Sequence, residues 1–193
     1  SDVYKRQPLF QLYPDKEEEW LAGIDKAARE RGIVVQYCMT VSMNVMMALS
    51  FPQTTNARGS HDYASTPNFN IGPTALLTQA VGMKVSKDNF WTYSNEPIPP
   101  NYKLSGNDYN STETHCLAAL LSGGPVGISD GANLTNKTLI MRTCREDGRL
   151  LQTSRATTAI DDEMVYKAFY NSQFNIWASP FGPKNKNNLW NII

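Results

Sequence analysis

Apolar and polar residues along this chain switch repeatedly between a helical and a strand-like period. From Lys16 to Arg31, residues Trp20, Leu21, Ile24, Ala27 and Ala28 recur at helical spacing. Glu17, Glu18 and Glu19 fall in the first turn, where negative charge suits the helix dipole, and Gly32 is placed to end the helix. The run from Ile33 to Cys38 is β-branched and uninterrupted, the pattern of a buried parallel strand. A short Met-rich helix is predicted from Ser42 to Leu49, with a break at Phe51-Pro52 and a strand from Thr54 to Ala57. A polar, turn-rich loop follows from Arg58 to Asn70, then a helix from Thr74 to Val81 ended by Gly82. After a Pro- and Asn-rich loop from Ser94 to Asn110, Thr112 to Leu121 predicts a helix with Ser111 or Thr112 as its cap. Gly123-Gly124 ends that helix, and Pro125 to Asp130 predicts a strand tipped by an acid. Leu139 to Cys144 is a short apolar element of either type. From Met164 to Trp177 aromatics alternate loosely, which predicts β-structure.

Strands that alternate with helices imply βα units and a parallel sheet. The fold class expected is α/β: the later half of a (β/α)8 TIM barrel over residues 8–160, followed by the start of a β-sandwich domain over 161–193. Residues 2–7, Asp-Val-Tyr-Lys-Arg-Gln, resemble the translation of a transposon-end adapter used in sequencing libraries, so residues 1–7 are set aside from fold reasoning. The expectation is a chain cut at both ends.

Composition narrows the function classes. The chain has 193 residues, 18 basic and 18 acidic, for a formal net charge of zero. Such a balance gives no electrostatic footprint for nucleic acid or an anionic membrane, and no apolar run approaches a membrane span. Cys38, Cys116 and Cys144 lack metal-ligand spacing and sit among apolar neighbours, which predicts buried free thiols. With only two histidines, His115-Cys116 does not make a metal site, and no cofactor is expected. Sequons at Asn110, Asn133 and Asn136 occur as often as chance allows.

Acids at strand ends carry the candidate chemistry, because the carboxyl ends of parallel strands are where catalytic groups gather. Asp62 follows the strand that ends near Arg58, Asp88 precedes Phe90 and Trp91, and Asp130 tips the strand after Gly124. Carboxylates accept sugar hydroxyls and a Trp face stacks on sugar C–H groups. Each acid alone is as readily a loop cap or turn former.

The run from Glu113 to Asp130, a helix carrying His115, then Gly123-Gly124-Pro125, then a strand ending Ser129-Asp130, resembles the late-barrel signature of glycoside hydrolase clan D, the α-galactosidase and raffinose synthase superfamily. Arg58-x-Ser60-x-Asp62-Tyr63 is similar to the strand of that family that carries its general acid/base. Asp88 with Phe90 and Trp91 falls where the family has an acidic-aromatic loop, and Asp147-Gly148-Arg149, with Arg155 and Asp161, resembles its passage into the C-terminal β domain. His61 stands where raffinose synthases commonly have another Asp.

The resemblance implies a retaining glycosidase acting on α-linked sugars. Asp62 would be the acid/base, Arg58, Asp88, Trp91 and Asp130 would contact a carbohydrate substrate, and the nucleophilic Asp would lie upstream of the helix at Lys16. It also admits a raffinose-synthase-like glycosyl transferase, which differs in the acceptor admitted. A barrel that binds carbohydrate without catalysis, and an unrelated α/β enzyme, stay open beside it.

Overall fold

Helices with one apolar stripe bury it against one face of a sheet, and the arrangement of the parallel strands here follows from that requirement. The computed structural model describes residues 14–38, 42–60, 71–93, 112–170, 177–181 and 190–192. Helix α1 (Pro14–Arg31) leads to β1 (Val35–Tyr37). Helix α2 (Ser42–Met47), continued by a 3-10 turn (Ala48–Ser50), leads to β2 (Thr54–Arg58), and α3 (Ile71–Ala80) leads to β3 (Lys84–Ser86). The three strands are parallel and lie in chain order, β1-β2-β3. Single parallel bridges, Val85 to Gly123 and Phe90 to Ile128, set the segment after α4 (Thr112–Leu121) beside β3. The protein is thus mixed α/β with a small parallel sheet. Among the described residues three strands and one bridged segment do not close into a barrel.

Among the described residues the flanking helices pack on one face. Tyr37 and Ala57 share a core cluster with Leu21 of α1, Val45 of α2, Ala48, Phe51 and Met83, and Leu77 of α3 packs against it. Val85 is buried with Ile71 and Ala75 of α3 and Ala156, with Ala118 of α4 against them. Side chains alternate across a strand. Since Gln36 pairs with Asn56, Asn56 with Lys84, and Arg58 with Ser86, these five residues belong to the opposite, polar face. Asp25, buried on α1, accepts from Gln53 N at 2.8 Å and from Arg29 at 2.5 Å, which ties the helix to the turn that starts β2.

The Gly-Gly-Pro turn has a steric explanation. Gly123 takes a φ of 78°, the left-handed conformation that ends α4. Gly124 lies so close to β3 that a Cβ there would meet Val85 O at 2.1 Å and Val85 C at 2.6 Å. The first glycine turns the chain and the second lets it approach the strand.

Several expectations are corrected. The run from Ile33 to Cys38 is not a buried strand. β1 begins at Val35, and Ile33 and Val34 are 54% and 63% exposed. Among the described residues β1 pairs only with β2 and is the edge of the sheet. Cys38 is exposed and Cys144 partly so, leaving only Cys116 as a buried free thiol. From Asp161 to Tyr170 the chain is helical (α6), not β. Its aromatics mislead a period-two reading, but Val165 with Phe169 and Tyr166 with Tyr170 are four apart, and Asp161 and Asp162 suit a first turn. The Tyr166 and Tyr170 ring centroids are 5.3 Å apart. The short apolar element near Leu139 is a single helical turn, α5 (Lys137–Ile140), whose cap Asn136 accepts from Leu139 N at 3.1 Å.

A second, antiparallel sheet of order β4-β5-β6 is formed by β4 (Thr158–Ala159), β5 (Trp177–Phe181) and β6 (Trp190–Ile192). It is joined to the C-terminal end of α4 through one carbonyl. Leu121 O accepts from Thr157 N at 3.0 Å, from Thr157 Oγ1 and Ser179 Oγ at 3.3 Å and from Thr153 Oγ1 at 3.4 Å. Thr157 and Ser179 also bond each other. The orphan carbonyl of a helix end is thereby satisfied from the second sheet.

Candidate functional site

The site is built where β2, β3 and the segment from Gly123 to Ile128 end, on one edge because the strands are parallel. Arg58 closes β2, and its Nη1 lies 3.1 Å from Asp88 Oδ1, with side chains only 12% and 16% exposed. Two backbone contacts reinforce this ion pair. Gly59 N donates to Ser86 O at 2.8 Å, and Asp88 N donates to Ser60 Oγ at 2.7 Å. The chain after β2 is thus held to the end of β3 at three successive residues. The positive charge of Arg58 is balanced locally by Asp88.

The network continues to the next segment. With its nitrogen turned to Asp88, the Asn89 amide donates to Asp88 Oδ1 at 2.9 Å and its oxygen accepts from Ser129 Oγ at 3.0 Å. Ser129 N donates to Phe90 O at 3.1 Å. A hydrogen-bonded line therefore runs from Arg58 at the end of β2, through Asp88 and Asn89 after β3, to Ser129 after the bridged segment. Below it, Lys87 is buried, donates to Asp88 O at 3.2 Å, and stands 5.5 Å over the Phe90 ring.

Asp130 lies at the same edge with a different task. Its Oδ1 accepts from Thr92 N at 2.6 Å and its Oδ2 from Thr92 Oγ1 at 2.7 Å, while Asn136 N donates to Thr92 Oγ1 at 2.7 Å. These bonds brace the loop after Phe90. Trp91 is half-buried and packs on the cluster of Phe90, Cys116, Ala119 and Leu139. His115 is buried on α4, stacked on Phe90 with ring centroids 6.2 Å apart. Of the residues expected from sequence, Arg58 and Asp88 are brought together and Asp130 shares their edge. Asp62 lies outside the described residues.

Sequence reasoning overlooked the polar face beneath this edge. Gln36 Nε2 donates to Ser86 Oγ at 2.5 Å. Asn56, 6% exposed, donates from Nδ2 to Thr55 Oγ1 at 3.3 Å, and its Oδ1 has no partner. A buried acceptor left without a donor costs about 1–3 kcal/mol. The signal was available in part: polar Gln36, Asn56 and Ser86 alternate with apolar or helix-facing neighbours, but short strands hide so brief a period.

No protein-family model matches the chain, and no curated protein matches its sequence. The reading of the site therefore rests on its geometry. Among the described residues no group of three or more His, Cys, Asp or Glu could hold a metal ion, and no helix is long and apolar enough to cross a membrane. The edge offers paired charges, amides, hydroxyls and a nearby indole, a set that suits a neutral ligand rich in hydroxyl groups.

Proposed function

We propose that this chain is part of a (β/α)8 barrel that acts on α-linked sugars, in the manner of the clan D glycoside hydrolases it resembles. One observation carries the proposal. The described parallel strands lie in chain order, the described helices pack on one face, and polar side chains collect at the carboxyl edge, where barrel enzymes hold their catalytic groups. A doubly wound sheet would place helices on both faces.

In this reading Asp62 is the acid/base. It lies two residues beyond Ser60, which is held to the end of β3. It protonates the leaving oxygen, and after release of the aglycone it takes a proton from the water that attacks the glycosyl intermediate. The nucleophile is a second carboxylate brought by a part of the enzyme outside these strands. Arg58, Asp88, Trp91 and Asp130 position the sugar or the loops around it.

The test uses an aryl α-galactoside and a protein carrying this chain together with the nucleophile. Asp62→Ala should slow turnover by about 10²–10⁴-fold, and added azide should restore part of it. Unchanged turnover would remove Asp62 from the role. A second reading, a barrel that binds carbohydrate without hydrolysing it, is favoured by one fact: Asp88 and Asp130 already engage Arg58 and Thr92. Sugar binding without turnover would select it.

A further inference from the structure

The carbohydrate reading leaves unexplained why the polar face keeps an amide whose oxygen has no donor. Asn56 stands two residues before Arg58 on the same face of β2, pairs in register with Gln36 of β1, and is a diagonal neighbour of Ser86 on β3. The bond from Gln36 to Ser86 joins the two outer strands, so the Gln36 side chain passes over β2 between the levels of Asn56 and Arg58. Gln36 is exposed, whereas Asn56 and Ser86 are buried. An exposed side chain fixed by one hydrogen bond is the part of this trio that moves most readily. When it swings away, the Asn56 amide and the Ser86 hydroxyl are uncovered beside each other, under the Arg58–Asp88 pair.

We infer that Gln36, Asn56 and Ser86 form the floor of the site, where they read hydroxyl groups of a neutral monosaccharide, with Gln36 as its movable member. The inference rests on the carbohydrate reading above. All three residues are uncharged, and between them they offer donors and acceptors, which matches a hydroxyl that needs both. Buried polar groups are almost always satisfied, and exceptions are found at functional or strained sites.

The test measures thermal unfolding and ligand-observed saturation-transfer NMR on the protein that carries this chain together with the nucleophile, with methyl α-D-galactopyranoside and methyl α-D-glucopyranoside as probes. Asn56→Leu, close in volume and without the stranded oxygen, should unfold at a higher temperature and lose the saturation transfer. Gln36→Leu, at an exposed position, should keep the wild-type midpoint and weaken binding about tenfold. A lower midpoint for Asn56→Leu would show that the amide is satisfied in the fold, and the floor would be abandoned. Wild-type binding retained by both variants would also overturn the floor while leaving the carbohydrate reading in place. Transfer from neither glycoside to the wild type would overturn that reading and the floor with it. Should Asn56→Leu fail to fold, Gln36→Leu decides alone.

Discussion

On one face of the parallel sheet Tyr37, Ala57 and Val85 meet helices; on the other lie Gln36, Asn56, Arg58 and Ser86, with Gln36 bonded to Ser86. The same paired positions of the three strands serve both, because neighbouring residues in a strand point opposite ways. The helix face is closed largely by apolar contact, and its buried Asp25 is held by hydrogen bonds from Gln53 N and Arg29. The polar face keeps an acceptor without a donor at Asn56 and carries a nearly buried ion pair at its carboxyl edge. Such groups stabilise a fold poorly compared with apolar packing. Their collection on one face separates the part of the sheet that holds the structure from the part available for chemistry.

The largest expected effect tests the contact that sets the segment from Gly123 to Ile128 beside β3; that segment, expected as a strand over Pro125 to Asp130, makes only single bridges among the described residues. Gly124→Ala places a methyl group against the Val85 carbonyl, which the backbone cannot absorb without moving. A loss of about 4 kcal/mol or more in urea unfolding is expected, in the range that marks a steric fault. A loss below about 1 kcal/mol would mean that the turn is free to stand off the sheet.

On the helix face, Leu21→Ala should cost about 3 kcal/mol by removing buried side-chain volume from the cluster around Tyr37 and Ala57. On the polar edge, Asp88→Ala should cost a similar amount, about 3 kcal/mol, for a different reason: it removes the carboxylate that faces the nearly buried Arg58 guanidinium. The two are told apart by a second substitution. Arg58→Met in the Asp88→Ala background should recover part of the loss, whereas nothing at position 58 should rescue Leu21→Ala. Strict additivity of Arg58→Met and Asp88→Ala would break the distinction.

The smallest effect concerns pH. Burial pushes the Tyr37 hydroxyl above its ordinary value of 10.0, the Thr54 hydrogen bond opposing and the Asp25 and Glu17 charges adding to it. Burial likewise pushes the Cys116 thiol above 9.0, with Arg142 opposing and Glu113 adding. Both groups hold their protons more tightly folded than unfolded. The stability they confer is complete below those ordinary values and declines as pH rises through them. Urea midpoints should therefore fall by a modest amount as the pH is raised through 9.0 and then 10.0. Phenylalanine at position 37 should remove the later part of the fall; an unchanged profile would show that the tyrosine hydroxyl stays wet on the helix face.

The helices of the first part were legible because their apolar stripes are long. Trp20 to Ala28 repeats over several turns, although Trp20 and Ala27 lie exposed and only Leu21 and Ala28 of the stripe are buried, and Gly82 and Gly123 end helices with left-handed φ values, as their positions suggested. The strands were legible as places and not as burial. Ile33 and Val34 look like core by composition, yet they lie exposed where the described sheet ends, since burial depends on which strand lies alongside. Asp161 to Tyr170 misled because aromatics favour strands on average while the fourfold spacing of Val165 and Phe169 is a helical one.

At the site, sequence marked Arg58, Asp88 and Asp130 as polar groups at strand ends. It could not divide their labour. That Arg58 faces Asp88, and that Asp130 spends both oxygens on Thr92, depends on which ends the register brings level. By itself the sequence determined the βα alternation, the glycine stops and the acids at the edge, because these follow from local period and backbone freedom. Only the tertiary structure decided which face of each strand met helices, why Gly124 can carry no side chain, and that Gln36, Asn56 and Ser86 share a floor. Those are properties of strands laid side by side, and residues from 36 to 124 become neighbours only when the pairing is made.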